Sequence, residues 1–226
     1  MSIQKTELQF QVNDRKVNAY LAAPQAGGPG ILVLHAWWGL KPFFKQVCDR
    51  LAEQGFVALA PDLRNGEVAQ TIEAATELMK KSDAQFVSAV ILAAEDYLMA
   101  DPLKKGPKIG ILGFSMGGAW TLFEANRAPD QFAAAVVFYG SHESDYAGMQ
   151  AKFLGNFCEV DDWEPLEDVR KMEAAMQTAG VDATYHIYPG MSHWFVEEDR
   201  PEYNPVTAKL AWQRTYDFFK TNLSSK

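Results

Sequence analysis

The chain has 226 residues, a hydrophobic fraction of 48% and a formal net charge of −8. These values are typical of one soluble globular domain with a substantial core, and the acidic balance argues against nucleic acid as a partner. No apolar run approaches the length of a membrane span or of a signal-peptide core, so we expect a cytoplasmic protein without a membrane partner. The two cysteines, Cys48 and Cys158, have neither metal-site nor redox-motif spacing and are expected to be reduced thiols.

Short apolar runs alternate with helical patterns along the chain. A β-hairpin is predicted first, because two alternating segments, 8–12 and 17–21, flank Asn13 and Asp14. Further strands are predicted at 31–34, 56–60, 109–112, 132–139, 153–158 and 183–188. Helices are predicted at 41–54, at 68–100 as two helices separated near Ser82, and at 116–127, 165–179 and 207–222. This alternation predicts a mostly parallel sheet covered by helices on both faces, within one domain, 1–226, that has no internal linker.

The segment GFSMG, from Gly113 to Gly117, lies between a predicted buried strand and a predicted helix. It matches G-x-S-x-G, in which a serine occupies a sharp turn with strained backbone angles. Glycines are needed on either side because side chains there would collide across the turn. Ser115 is therefore the candidate nucleophile, at a helix N-terminus that favours developing negative charge. An ordinary glycine-rich turn is the alternative interpretation.

A serine hydroxyl needs a base to remove its proton, and histidine is the usual one. In a mostly parallel sheet the active site lies at the carboxyl ends of the strands. His193 follows the last predicted strand and is the candidate base. Of the other histidines, His35 ends a central strand, His142 lies in a polar loop and His186 lies inside a strand. Any of the four could instead be structural.

Asp161 and Asp162 follow the strand before the last and precede His193, which is the Ser-Asp-His order of many α/β enzymes. Either carboxylate could orient the histidine, and either could cap the next helix. The oxyanion hole needs two backbone N–H groups. Met116, directly after the serine, should supply one, and the loop after the strand at 31–34 should supply the other, at Ala36 or Trp37.

Four tryptophans lie on predicted strand-end loops. They could pack in the core, or they could line an aromatic pocket for an apolar substrate group, and the sequence does not decide between the two. These residues are Trp37, Trp38, Trp163 and Trp194.

Several motifs together make the chain similar to the dienelactone hydrolase family of α/β-hydrolases. They are HAWWGL, PDL, GFSMGG, VDDWEP, PGMSHWF and QRTYDFF, and they span nearly the whole sequence. The resemblance implies an α/β-hydrolase fold with about 7–8 strands and no separate cap domain. It assigns the catalytic acid to Asp161 rather than Asp162, and the base to His193. It also implies that the backbone N–H groups of Trp37 and Met116 hold the oxyanion.

The chain departs from the family pattern at three places. The nucleophile is Ser115 where founding members have cysteine, and Ala36 stands where they have a glutamate that activates it. Glu197 stands where they have an arginine for the substrate carboxylate, and Arg64 is not clearly in register with their other arginine. If Glu197 faces the pocket it should repel an anion. We therefore expect neutral, apolar esters to be preferred over anionic lactones.

These observations predict a serine hydrolase that cleaves carboxylic esters or lactones without a metal or another cofactor. The substrate-binding candidates are Trp38, Arg64, Trp163 and Trp194. A peptidase or a thioesterase with the same triad is the alternative within enzymes, and a non-catalytic ligand-binding member is the alternative outside them. We expect a small-molecule substrate, no nucleic-acid partner, and a monomer or weak homodimer.

Overall fold

The computed structural model describes residues 2–223. The chain divides into two compact units, the first ending at Ile109 and the second beginning at Gly110. Eight strands form a mostly parallel sheet, as predicted. In the described residues no helix is both long and apolar enough to span a membrane. The assignment of 1–226 to a single domain stays a prediction.

The first unit begins with the predicted hairpin. Its strands and helices are β1 Ile3–Val12, β2 Arg15–Pro24, β3 Gly28–Leu34, α1 Pro42–Glu53, β4 Val57–Pro61, α2 Ile72–Lys80 and α3 Ala84–Ala100. The strands lie in the order β1-β2-β4-β3, with antiparallel β1–β2 and β2–β4 pairs and a parallel β3–β4 pair. α1 packs on β2 and β4, and α3 on β3 and β4. The apolar run of β3 is fully buried, which is typical of a strand covered on both faces.

The second unit contains the rest of the sheet. Its elements are β5 Lys104–Phe114, which begins before the unit boundary, α4 Met116–Arg127, β6 Phe132–Phe138, β7 Lys152–Cys158, α5 Leu166–Ala179, β8 Ala183–Tyr188 and α6 Pro205–Leu223. The order is β5-β6-β7-β8, and the β6–β7 and β7–β8 pairs are parallel. α4 packs on β6, α6 on β6 and β7, and α5 on β7 and β8. The carboxyl ends of β6, β7 and β8 therefore meet at one edge.

Two helix boundaries follow directly from local chemistry. The break between α2 and α3 lies at Ser82-Asp83, as predicted, because the Asp83 carboxylate accepts from the backbone N–H groups of Gln85 and Phe86 and starts the next helix. α5 ends at Gly180, whose φ of 75° lies in the left-handed region that glycine adopts without steric cost.

Candidate active site

At the Ser115 turn, backbone segments approach so closely that only glycine fits at two neighbouring positions. Ser115 has a φ of 51°, and its backbone N–H donates to the Phe138 carbonyl at 2.9 Å. A Cβ on Gly113 would lie 2.0 Å from the Gly117 carbonyl oxygen, and one on Gly140 would lie 2.5 Å from the Ser115 carbonyl oxygen. The collision expected from the sequence is thus present at Gly113. The strained turn holds Ser115 directly before the N-terminus of α4.

Three predicted side chains of the second unit lie in one hydrogen-bonded line. The Ser115 Oγ is 3.0 Å from His193 Nε2, and His193 Nδ1 is 2.8 and 2.9 Å from the two Asp161 carboxylate oxygens. The side chains of His193 and Asp161 are 4% and 1% exposed. With Asp161 ionised, Nδ1 carries the ring proton and donates it, so Nε2 is left to accept from the serine hydroxyl. This is the geometry of an activated nucleophile.

The loop after β7 distinguishes the two aspartates. Asp161 Oδ1 accepts from the backbone N–H groups of Trp163 and Glu164, both at 2.9 Å, which fixes the carboxylate on His193. Asp162 is exposed. Of the two aspartates that residue order left open, Asp161 is therefore the one that contacts His193, and its catalytic role stays a prediction.

Glu164, in the same loop, was not among the predicted site residues. Its Oε2 accepts from the Ser141 N–H at 2.9 Å, and Ser141 follows the end of β6. Burial raises the pKa of Glu164, and the hydrogen bond to Ser141 opposes that rise. The contact ties the loop that carries Asp161 to the end of the neighbouring strand. Position at a strand end could have drawn attention to Ser141, but nothing in the sequence links it to Glu164.

The four tryptophans differ in their exposure to solvent. Trp38 and Trp194 are buried, at 1% and 3% exposure, while Trp163 is 48% exposed and Trp37 is half-buried. Of the two interpretations that the sequence left open, core packing therefore applies to Trp38 and Trp194, because both rings are buried. Trp194 packs edge-on against the His193 ring, with centroids 4.9 Å apart. The Trp163 ring lies 5.7 Å from that of Trp194, so the exposed indole is one ring away from the histidine.

Glu197 does not present its carboxylate to solvent. The residue is fully buried, and its Oε1 accepts from the Tyr139 hydroxyl at 2.9 Å. The condition under which Glu197 was expected to repel an anion, a side chain that faces the pocket, is therefore not met, because the side chain is folded inward and hydrogen-bonded. Tyr139 directly follows β6 and was missed among the candidates, although the strand-end rule applies to it as it does to Ser115.

Within the first unit, the His35 ring contacts backbone groups, as a structural histidine does. Its ring is fully buried; Nε2 accepts from the Leu63 N–H at 2.9 Å, and Nδ1 lies 2.6 Å from the Ala36 carbonyl oxygen. Burial lowers the pKa of His35 to about 4, so the neutral ring donates from Nδ1 at neutral pH. This bond fixes the peptide that joins Ala36 to Trp37, and with it the direction of the Trp37 N–H.

Arg64 is also held inside the first unit. Its guanidinium contacts the Leu78 carbonyl oxygen at 3.4 Å and the Met79 sulfur, both on α2. Its backbone N–H donates to Asp62 Oδ1 at 2.9 Å. Burial lowers the pKa of Arg64. Its role toward a substrate stays a prediction.

The serine, histidine and aspartate together supply a nucleophile, a base and a carboxylate that contacts the base. No group of three or more His, Cys, Asp or Glu side chains among residues 2–223 is arranged to hold a metal ion. A serine held 3.0 Å from an oriented imidazole can add to a carbonyl carbon and pass its proton to Nε2. The arrangement is therefore suited to acyl transfer.

Known proteins resemble this chain over almost its full length. The model of the dienelactone hydrolase family matches residues 17–223. The protein usf of Aquifex pyrophilus is 34% identical, over 96% of this chain and 98% of its own. A protein of Aquifex aeolicus, named as a candidate carboxymethylenebutenolidase, is 32% identical over the same shares.

A solved structure agrees with these sequence relatives. The crystal structure of a candidate dienelactone hydrolase from Klebsiella pneumoniae is 26% identical, and it superposes with a TM-score of 0.86 over 97% of this chain and 99% of its own. The predicted α/β-hydrolase fold is thereby confirmed, as is the resemblance carried by the sequence motifs. The chain belongs to the dienelactone hydrolase family, a family of carboxylic ester hydrolases with the α/β-hydrolase fold.

Proposed function

We propose that this protein cleaves carboxylic esters or lactones through a Ser115-His193-Asp161 triad and a covalent acyl-enzyme. The observation that carries the proposal is the continuous hydrogen-bonded line, with 3.0 Å from the serine oxygen to His193 Nε2 and 2.8 Å from Nδ1 to Asp161. Membership of the dienelactone hydrolase family supports the ester or lactone class. The substrate is a small molecule.

In the proposed reaction the Ser115 oxygen attacks the carbonyl carbon while His193 Nε2 takes the hydroxyl proton. The tetrahedral intermediate collapses, the C–O bond to the leaving alcohol breaks, and His193 returns the proton to that oxygen. For a lactone, the alcohol stays attached to the acyl group. Water then adds to the acyl-enzyme, giving its proton to His193, and the acid leaves as the serine regains its proton. Asp161 stabilises the imidazolium throughout.

The backbone N–H groups of Met116 and Trp37 are the proposed oxyanion donors. Met116 is the first residue of α4, where the helix dipole favours negative charge. The Trp37 N–H belongs to a peptide whose carbonyl is held by the neutral His35 ring. Because C=O and N–H point in opposite directions across a trans peptide, this bond directs the N–H away from His35. Preorganised donors of this kind lower the barrier without moving during the reaction.

A p-nitrophenyl ester tests the acyl-enzyme. We expect a rapid release of nitrophenol, close to one equivalent per protein, followed by slower steady-state turnover if deacylation limits the rate. Lactones, thioesters and short peptides should be assayed alongside it. Faster cleavage of a thioester or a peptide would replace the proposed substrate class, and no release from any of the four would favour a non-catalytic, ligand-binding protein.

Neutral esters with an apolar group fit the site better than anionic substrates. A buried substrate carboxylate needs a cationic partner, because an unpaired charge is costly to desolvate. Arg64 is engaged by α2 within the first unit. Arg200 lies over the Trp194 ring at 4.5 Å and pairs with Glu202 at 3.3 Å. The exposed Trp163 indole offers an apolar surface instead.

Trp163→Ala should raise KM for an aryl ester about tenfold while kcat changes little. Covering about 60 Å² of apolar ring at about 25 cal/mol per Å² contributes roughly 1.5 kcal/mol, which is close to a tenfold change in affinity. Tyr97→Ala, which removes another partly exposed aromatic ring, is the matched control and should leave KM unchanged. Steady-state kinetics with phenyl and methyl esters measure the effect. An equal loss for both esters would show that the indole does not select an aryl group.

A further inference from the structure

The ring of His193 is contacted by two aromatic side chains besides its hydrogen-bond partners. The Tyr139 ring lies with its centroid 4.6 Å from the imidazole, tilted by 52°, and the Trp194 ring lies 4.9 Å away at 90°. Both aromatic residues have positive φ angles, 40° for Tyr139 and 69° for Trp194. Such angles cost free energy in residues with a side chain, so the surrounding contacts must hold them.

The two hydrogen bonds made by the His193 imidazole restrain rotation of the ring about one axis only weakly. The bonds from Nδ1 to Asp161 and from Nε2 to Ser115 define an axis through the ring, and they resist rotation about that axis only weakly. Proton transfer to a leaving group requires the ring plane to point at that group. Packing from Tyr139 and Trp194 supplies the missing restraint on the ring plane.

Tyr139 is itself held at three points. Its backbone N–H donates to the Asn156 carbonyl at 2.9 Å, its hydroxyl donates to Glu197 Oε1 at 2.9 Å, and its ring contacts His193. Burial, together with the charge of Glu197, raises the pKa of Tyr139 well above its ordinary value. The phenol therefore keeps its proton and acts as a donor at every working pH.

Glu197 lies on the same loop as His193, and its N–H donates to the Trp194 carbonyl at 2.8 Å. Glu197 is fully buried. The Tyr139–Glu197 hydrogen bond therefore connects the end of β6 to the loop that carries the catalytic base. A movement of that loop would have to break a buried, charge-assisted hydrogen bond, which is stronger than a neutral one.

We propose that Tyr139 and Glu197 form a buried positioning pair that sets the ring plane of His193 for proton transfer. The proposal rests on the triad proposed above and adds to it two residues that do not touch the reacting atoms. The pair acts on catalysis through the imidazole, so its loss should lower kcat and leave ground-state binding in place.

Tyr139→Phe tests the pair because it keeps the aromatic ring and removes only the hydroxyl. We expect kcat for a p-nitrophenyl ester to fall at least about tenfold with KM within about twofold, since small misplacements of catalytic groups have effects of this size or larger. Glu197→Gln should retain most of the activity, because the amide oxygen can still accept from the phenol. Glu197→Leu should behave like Tyr139→Phe, and the double variant should be little worse than either.

Tyr188→Phe is the matched control. Tyr188 is also buried, and its hydroxyl donates to Asn156 Oδ1 at 2.8 Å. Removal of the Tyr188 hydroxyl should lower thermal stability as Tyr139→Phe does, while kcat stays within about twofold of the kcat of the unmodified protein. Equal losses of kcat in the two variants would overturn the proposal, because the effect would then follow stability alone. A Tyr139→Phe variant with unchanged kcat would overturn it as well.

A spectroscopic measurement separates failure of the pair from failure of the triad. The proton shared by His193 Nδ1 and Asp161 should give a low-field resonance in the unmodified protein, assigned with the His193→Gln variant. Tyr139→Phe should shift or broaden it, and Tyr188→Phe should not. If the protein has no esterase activity, the proposed function fails and this resonance still tests the pair. If the protein is active and Tyr139→Phe alters neither the resonance nor kcat, only the pair fails.

Discussion

Ser115→Ala should lower kcat for an ester by about a million-fold, to a level set by binding and by the oxyanion donors. Removal of a triad serine has an effect of that size elsewhere because the covalent step is lost and the histidine has nothing to activate. The 3.0 Å contact with His193 Nε2 makes this hydroxyl the one that the base can deprotonate. Initial rates at saturating ester, with a variant protein purified free of any active contaminant, measure the loss.

A fluorophosphonate probe gives an independent measurement of the same prediction. It should label Ser115 in the unmodified protein and label nothing in Ser115→Ala. Ser141→Ala is the matched control, since Ser141 follows Gly140, which lies against the Ser115 carbonyl, and its backbone N–H keeps the contact with Glu164 in this variant. That variant should keep both labelling and turnover. Labelling of any other serine, or activity that persists without Ser115, would remove it as the nucleophile.

The strands were predictable where the chain is buried on both faces. The buried strand β7, Lys152–Cys158, begins within one residue of its predicted start and ends where predicted, and the first residues of α4 and the capped break at Asp83 also agree. The start of β5 was missed, because the segment from Lys104 to Lys108 is exposed or partly exposed and contains no apolar run. Hydrophobic periodicity detects burial, and strand residues that face solvent carry no such signal.

That Ser115, His193 and Asp161 lie together was predictable because each of them is marked by local chain geometry. The serine lies in a turn with its own glycine pattern, and the acid and base follow strand ends that a parallel sheet brings to one edge. The surroundings of His193 were not predictable in this way. Whether Trp194 and Glu197 face solvent or the core depends on the path of one loop, and the partner of Glu197, Tyr139, follows the end of β6, 58 residues away along the chain. Such pairings arise from tertiary packing.

Asp161→Asn should lower kcat about ten-thousand-fold while the fold is preserved. Asp161 Oδ1 accepts from the N–H groups of Trp163 and Glu164, and an asparagine oxygen can keep both bonds. The amide NH₂ would then face His193 Nδ1 and favour the tautomer that carries its proton on Nε2. That nitrogen could no longer accept from Ser115, so the serine would lose its base.

Asp162→Asn is the matched control for this prediction. The Asp162 side chain is exposed, and we expect kcat of the variant to stay within about twofold of that of the unmodified protein. Circular dichroism should show that both variants are folded, and steady-state kinetics should separate them. A large loss in Asp162→Asn, with Asp161→Asn nearly unchanged, would assign the catalytic acid to the other aspartate and contradict the 2.8 Å contact on which the triad is built.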